Sequence, residues 1–292
     1  IEKGMGKNWK WLAKIFAFFG VCVGLFGIGT FSQVNGISSA VQAFFDPKKE
    51  HTVNIFGTDY TWAVIISGLL ITIFAALVII GGIKRISSVS QVVVPFMAVV
   101  YIVACLSLIV INIQRLPHAV ALIFEQAFSF KAVAGGSLPT MFIAIQKGVA
   151  RGIFSNESGL GSAPIAAAAA QTKEPARQGL ISMMGTVIDT LVICTMTGLC
   201  IVITGAWDMG LEGVSVTDKA FRMGLPLPNQ LCSFILMICL VFFAFTTILG
   251  WDYYSERCLE YLCGGRLKVV KVYRWIYILA IFIGPYMTVS AV

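Results

Sequence analysis

A charged, glycine-rich stretch interrupts one of the apolar regions of this chain. Residues 151–164 read RGIFSNESGLGSAP, within a region that is otherwise apolar enough to cross a bilayer. In hydrocarbon every backbone amide and carbonyl group needs a partner, so an interrupted helix is stable only where protein packs around it or where it lines a cavity. The stretch therefore predicts a discontinuous membrane helix, with a solute or ion site at the interruption.

The composition also indicates a membrane protein. Hydrophobic residues make up 58% of the chain and charged residues 12%, against about 45–50% and about 25% in soluble domains. A spanning helix needs about 20 apolar residues, and seven regions qualify: 9–45, 61–82, 92–113, 138–170, 180–207, 231–251 and 269–292. We expect an all-α polytopic membrane protein with one transmembrane domain over residues 1–292, and short surface helices at 119–128 and 216–223.

Lysine and arginine concentrate in the loops on one side of this predicted arrangement, which we assign to the cytoplasm. Those on that side include Lys84, Arg85, Lys173, Arg177, Arg257, Arg266, Lys268, Lys271 and Arg274. This bias accounts for the net charge of +7 and excludes nucleic-acid binding. The eight cysteines have neither metal-site spacing nor a disulfide framework, so we expect small buried apolar side chains.

Ionisable residues are costly inside a membrane and mark candidate functional positions. Four occur within the predicted spans: Lys147, Arg151, Glu157 and Asp189. Arg151 and Glu157 flank the interruption and could compensate each other, although snorkelling or a structural ion pair is an equally physical role for the basic residues. For Asp189 two roles stay open, namely a structural partnership with the interruption and a proton or cation site.

The interruption has the residues that a zwitterionic ligand requires. Gly159 and Gly161 tolerate left-handed backbone and allow close approach of a ligand, while Pro164 suits the first turn of a new helix. The amides that open the second half-helix favour an anion, and the carbonyls that end the first half-helix favour a cation. An amino acid carries both charges.

Two polar pairs elsewhere could complete the site. Gln33 and Asn35 follow the apolar half of the first region, where ordinary hydrogen bonding between helices is the alternative. Thr246 and Thr247 interrupt the sixth region. Their hydroxyl groups either bond back to their own helix or supply hard oxygen ligands to a cation such as Na⁺.

The chain resembles the alanine or glycine:cation symporter family, whose members are sodium-coupled transporters of small amino acids. The resemblance rests on ARGIFSNESGLGSAP at 150–164, QGL at 178–180, DT at 189–190, CTMT at 194–197, FAFTTILGW at 243–251, GGIKRI at 81–86 and VPFM at 94–97. It implies the five-plus-five inverted-repeat fold of the leucine-transporter type. On that fold the sequence corresponds to about the third to the ninth core helix, incomplete at both ends.

The resemblance also implies roles for individual residues. The expected substrate contacts are Gln33, Asn35, Phe154, Ser155, Asn156, Glu157, Ser158, Gly159, Leu160 and Gly161. Thr246 and Thr247 resemble the share of a sodium site that the eighth core helix supplies. Independently of the resemblance, Arg151 and Asp189 are assigned to coupling or structural charge, because they are ionisable residues within predicted spans. The implied protein is a multi-pass symporter of the cytoplasmic membrane, with Na⁺ as coupling ion and no other cofactor.

Three other classes of protein are alternatives to a sodium symporter. A proton-coupled amino-acid carrier remains an alternative, and so does a passive channel, although a channel favours a continuous polar lining or rings of charge. An intramembrane enzyme needs a nucleophile with a base or a metal cluster. Both histidines, His51 and His118, are predicted to lie in external loops, so we expect no enzyme.

Overall fold

The structure is a computed structural model that describes residues 1–27, 29–55, 58–128, 138–157, 159–211 and 213–287. Its α-helices are α1 (Glu2–Met5), α2 (Lys10–Phe26), α3 (Phe31–Phe45), α4 (Trp62–Ile79), α5 (Gly82–Ile111), α6 (Leu116–Phe128), α7 (Leu138–Asn156), α8 (Ala163–Ala167), α9 (Pro175–Thr186), α10 (Thr195–Thr204), α11 (Val214–Gly224), α12 (Asn229–Leu262) and α13 (Leu267–Ile283). A π-helix, Val187–Cys194, joins α9 to α10. An antiparallel hairpin of β1 (Thr52–Ile55) and β2 (Thr58–Thr61) lies in the linker before α4.

Five stretches of the described chain are long and apolar enough to cross a membrane: Lys7–Phe45, Trp62–Ile79, Gly82–Ile111, Pro175–Thr204 and Asn229–Leu262. They correspond to five of the seven predicted regions. The other two are the interrupted region, which is divided into α7 and the five-residue α8, and α13, which has 17 residues. An all-α polytopic membrane protein is therefore confirmed, whereas the inverted repeat stays a prediction.

Several predicted boundaries were wrong because polar residues continue a helix that hydropathy alone would end. The linker expected at 83–91 is the beginning of α5, and the linker expected at 252–268 is largely the end of α12. The first region is divided, since α2 ends at Phe26 and α3 begins at Phe31. Helices are present at both places where short surface helices were predicted, as α6 and α11, and His118 lies in α6 rather than in a loop.

The helices group into two compact units. Unit 1 contains residues 1–99 and 234–292, and unit 2 contains residues 100–233. The division falls within α5 and α12, each of which contributes residues to both units.

In unit 1, small residues bring α2 close to α12. A Cβ atom added to Gly20 would lie 2.6 Å from the Sγ atom of Cys258, and one added to Gly24 would lie 2.7 Å from the Cβ atom of Ser255. The four-residue spacing of the two glycines places them on one face of α2. Two membrane helices that meet at such small residues gain dispersion contacts along closely packed backbones.

In unit 2, polar groups connect α5, α10 and α11. The hydroxyl groups of Tyr101 and Thr197 are 2.7 Å apart, and the side-chain amide of Asn112 donates to the carbonyl of Gly224 at 2.8 Å. A Cβ atom at Gly224 would lie 2.6 Å from Leu108, so this end of α11 also depends on a glycine.

The outward faces of the helices are strongly apolar. Phe18, Phe74 and Val92 expose more than half of their surface, as expected where the solvent is hydrocarbon. The cysteines mostly follow the prediction: five are buried and all eight are free, but Cys194 is exposed.

Candidate functional site

The glycine-rich stretch interrupts the helix at the predicted place. Helix α7 ends at Asn156 and α8 begins at Ala163, and Glu157, Gly159 and Gly161 have φ angles of +56°, +89° and +77°. Left-handed backbone at three positions is incompatible with a continuous helix. The predicted discontinuity is therefore confirmed.

The unwound part is shorter than predicted. Phe154, Ser155 and Asn156 belong to the last turn of α7, whereas Glu157, Gly159, Leu160 and Gly161 lie between the helices. Ser158 and the side chains of Arg151 and Phe154 lie outside the described part of the structure. Because α8 has only five residues, its dipole is too short to support the expected anion site at its N-terminus.

Glu157 connects the two sides of the interruption. Its backbone carbonyl accepts a hydrogen bond from the amide of Leu160 at 3.2 Å, and its Oε2 atom accepts one from the hydroxyl of Ser162 at 2.6 Å. Ser162 is buried. The carboxylate of Glu157 therefore fixes the start of α8 through the side-chain hydroxyl of Ser162.

The last turn of α7 contacts the π-helix. The Ser155 hydroxyl donates to Oδ2 of Asp189 at 2.6 Å, and the Asn156 side-chain amide donates to the Thr190 hydroxyl at 3.1 Å. The same Oδ2 atom lies 3.3 Å from the Thr190 hydroxyl. Ser155 and Asn156 of α7 thus form one polar network with Asp189 and Thr190 of the π-helix. This network gives Asp189 the structural partnership with the interruption that was one of its two possible roles.

A π-helix of eight residues was not predicted and is itself unusual. Such segments are rare, and most are single-turn bulges near functional positions. The widened turn, Val187–Cys194, holds Asp189 and Thr190. No sequence pattern marks the π-helix, because its residues other than Asp189 and Thr190 are apolar, as in an ordinary membrane helix.

Unit 1 contains a second interruption, between α2 and α3. The Thr30 hydroxyl donates to the carbonyl of Gly24, and the Tyr277 hydroxyl lies 3.1 Å from the carbonyl of Gly29 and 2.9 Å from that of Ile248. Tyr277 and Thr30 are fully buried. Backbone groups that the interruption frees are therefore satisfied by side chains, as hydrocarbon surroundings require.

Gln33 and Asn35 lie in the first turns of α3. The Asn35 amide nitrogen donates to the carbonyl of Met287 at 2.8 Å, and the Asn35 amide oxygen lies 3.4 Å from the Ser39 hydroxyl. Asn35 therefore has partners within the protein, and its contact with the substrate stays a prediction. Gln33 is half-buried.

Thr246 and Thr247 lie in the middle of α12, and both are half-buried. The Thr246 hydroxyl is 3.0 Å from the carbonyls of Phe242 and Phe243, and that of Thr247 is 2.9 Å from the carbonyl of Phe243. A hydroxyl that donates its proton to its own helix keeps its lone pairs available to a cation. The geometry is compatible with both interpretations of this pair.

An apolar cavity of about 870 Å³ in unit 1 does not coincide with these residues. Its lining includes Ile37, Phe74 and Phe245 but none of the predicted binding residues. The polar residues of the lining, Asp46, His51 and Ser67, do not belong to the predicted site either, so this cavity gives no support to the predicted amino-acid site.

A family model described as the sodium:alanine symporter family matches residues 1–292. The chain belongs to the sodium:alanine symporter family. This membership confirms the resemblance inferred from the sequence motifs and agrees with the interrupted membrane helix. The family is one of membrane transporters, so the chain is a part of an integral membrane protein.

Curated relatives resemble the chain along nearly its whole length. An uncharacterized transporter from Haemophilus influenzae is 50% identical over 294 residues, which cover 100% of this chain and 60% of that protein. The sodium/alanine symporter AgcS of Methanococcus maripaludis is 43% identical over 97% of this chain and 58% of its own length. The probable sodium/glutamine symporter GlnT of Bacillus subtilis is 38% identical over 94% of this chain and 52% of its own length. The chain thus spans 52–60% of the length of these relatives.

This symporter-family chain also buries two carboxylates that the sequence analysis missed. Asp252 is 1% exposed and Glu256 is 3% exposed, both in α12. Arg257 and Arg274, which were assigned to cytoplasmic loops, instead lie in α12 and α13. One sequence signal could have revealed this: neither glycine nor proline occurs after Gly250 until Gly264, so no residue ends the helix at Trp251.

Proposed function

We propose that the protein containing this chain is a sodium-coupled symporter of a small neutral amino acid, alanine or glycine, in the cytoplasmic membrane. The observation that carries the proposal is the interruption between Asn156 and Ala163, with left-handed backbone at Gly159 and Gly161. An interrupted membrane helix places backbone groups where a solute can bind. The names of the relatives support both amino-acid transport and sodium coupling.

In this proposal the interruption contacts the substrate, and the hydrogen-bond network of Asp189 holds the interruption in place. The unwound backbone around Gly159 and Gly161 contacts the amino acid, and the hydrogen bonds from Ser155 and Asn156 position the last turn of α7. Gln33 is the proposed polar contact from α3. Thr246 and Thr247 supply hydroxyl oxygens to Na⁺ from α12.

Uptake by the full-length protein tests the proposal. Labelled alanine and glycine should accumulate in cells or proteoliposomes when a Na⁺ gradient is present, and should not when choline replaces Na⁺. Labelled glutamine is tested in the same uptake assay, because one relative is named a probable sodium/glutamine symporter. Uptake driven equally well by a proton gradient without Na⁺ would instead establish a proton-coupled carrier.

Counterflow separates a carrier from a channel. A carrier that alternates between two open states makes labelled substrate accumulate transiently against unlabelled substrate, because each turnover exchanges one molecule for another. A passive channel produces simple equilibration. Equilibration without a transient overshoot would exclude symport.

A further inference from the structure

Asp252 is a buried carboxylate without a visible partner. It is 1% exposed, and neither of its carboxylate oxygens has a hydrogen-bond partner among the described residues. Most buried polar side-chain atoms in proteins have at least one partner. A position that leaves both oxygens of one carboxylate unsatisfied therefore calls for a specific explanation.

The charges around Asp252 do not neutralise it. Arg274 donates two hydrogen bonds to Glu256, one of them at 2.9 Å. Arg257 contacts Glu260 at 2.5 Å and Glu256 at 3.9 Å. The cluster consists of three carboxylates and two guanidinium groups: Asp252, Glu256, Glu260, Arg257 and Arg274. One negative charge is therefore in excess. The carboxylate without hydrogen bonds is that of Asp252.

The carboxylate lies on α12 beside the interruption between α2 and α3. A Cβ atom added to Gly29 would lie 2.6 Å from the Cβ atom of Trp251. The Tyr277 hydroxyl contacts the carbonyls of both Gly29 and Ile248, and Ile248 precedes Asp252 by one helical turn, on the same face. Polar backbone and an uncompensated carboxylate therefore meet in one buried region of unit 1.

A buried charge without partners is strongly unfavourable, and proteins avoid it by neutralisation, pairing or ion binding. We propose that Asp252 binds a monovalent cation, H⁺ or Na⁺, beside the interruption between α2 and α3. One bound monovalent cation removes the single excess negative charge of the cluster. The site is separate from the proposed sodium ligands Thr246 and Thr247, because Thr247 lies five residues earlier, or about 7.5 Å along the helix axis.

None of the ionisable groups that the structure describes around Asp252 is a better candidate to bind a cation in this region. From α13 the residues that interact electrostatically with it are Tyr273, Arg274 and Tyr277, and from α12 it is Glu256. Glu256 is held by Arg274. The residues that α2 and α3 are known to bring to this part of α12, such as Gly24, have no ionisable side chain.

The test uses the purified full-length protein in detergent without any amino acid, so its result does not depend on the proposed transport activity. Infrared difference spectra across a pH series detect a protonated buried carboxyl group, and thermal unfolding with Na⁺ or choline detects Na⁺ binding, because a ligand stabilises the state that binds it. The variant is Asp252→Asn. Its matched control is Asp208→Asn, which changes an exposed aspartate.

Two results support the proposal and distinguish the cations. A carboxylic acid band at neutral pH that Asp252→Asn removes and Asp208→Asn retains identifies H⁺. A rise of Tm with Na⁺ that is lost in Asp252→Asn, and retained in Asp208→Asn, identifies Na⁺.

Unchanged Na⁺ dependence together with an unchanged infrared band in Asp252→Asn would overturn the proposal. If that variant does not fold, Asp252→Ser takes its place. A wild-type protein with neither a carboxylic acid band at neutral pH nor a Na⁺-dependent Tm would overturn the proposal without any variant.

Discussion

Ser155 donates a 2.6 Å hydrogen bond to Asp189, and this bond connects the last turn of the interrupted helix α7 to the π-helix. The two residues are 34 positions apart in the sequence. Their neighbours Asn156 and Thr190 form a parallel contact at 3.1 Å. The position of the interruption therefore depends on a second, differently distorted membrane helix.

Ser155→Ala should weaken this connection. Hydrogen bonds to a charged acceptor contribute about 1.5–3 kcal/mol, and partial exposure of this pair places the expected loss at the lower end. Thermal unfolding of Ser155→Ala, Asp189→Asn and the double variant measures the coupling through a double-mutant cycle. Ser107→Ala, whose hydroxyl bonds only to the Val103 carbonyl of its own helix among the contacts described, is the control. Strictly additive effects would show that the two side chains do not interact.

Gly161→Val should abolish amino-acid uptake and leave membrane insertion intact. The φ angle of Gly161 is +77°, and a left-handed conformation costs a residue with a Cβ atom roughly 1–2 kcal/mol, more when the side chain is β-branched. A side chain at the neighbouring Gly159 would also strain the backbone through its positive φ angle and not through a clash, since an added Cβ atom there meets no heavy atom within 4 Å. The measurement is uptake normalised to protein in the membrane. Gly148→Val, in the interior of α7, is the control, and normal uptake by Gly161→Val would contradict a substrate role for the interruption.

Thr247→Val and Thr246→Val should raise the Na⁺ concentration needed for half-maximal uptake several-fold. Valine keeps the shape of the side chain and removes the hydroxyl oxygen that a cation would use. Substrate affinity at fixed Na⁺ should fall as well, because the coupling between two ligands is reciprocal. Thr204→Val is a matched control, since the Thr204 hydroxyl also bonds to its own helix, at the carbonyl of Cys200. If both variants keep the wild-type Na⁺ dependence, the two hydroxyls only bond to their own helix.

Tyr277→Phe should destabilise the protein by about 1–3 kcal/mol, the cost of leaving buried polar groups unsatisfied. The hydroxyl contacts the carbonyls of Gly29 and Ile248, and the side chain is fully buried. Unfolding in denaturant measures the loss. Tyr261→Phe removes an exposed hydroxyl that donates to Glu2 and should change stability much less. Equal effects of the two substitutions would contradict the structural role assigned to Tyr277.

The interruption of α7 could be predicted because its cause is local. Glycines and charged residues within a few positions oppose a continuous apolar helix whatever surrounds them. The same holds for the long apolar helices, whose length and hydropathy are properties of consecutive residues. The end of the unwound stretch was less predictable, since Ser155 and Asn156 are held in the helix by partners on another segment.

The sequence by itself determined that this chain is a helical membrane protein of a transporter family with an interrupted helix. Only the tertiary structure decided that Asp252 is buried. The residues after Trp251 are polar and resemble a loop, yet Glu256 is paired with Arg274, 18 residues away on the next helix. Burial of a charge depends on which helices pack around it, and that packing brings together residues that are distant in sequence. A hydropathy profile depends only on residues that are neighbours along the chain. It therefore shows that Asp252 is charged, but not that the surrounding helices bury it without a partner.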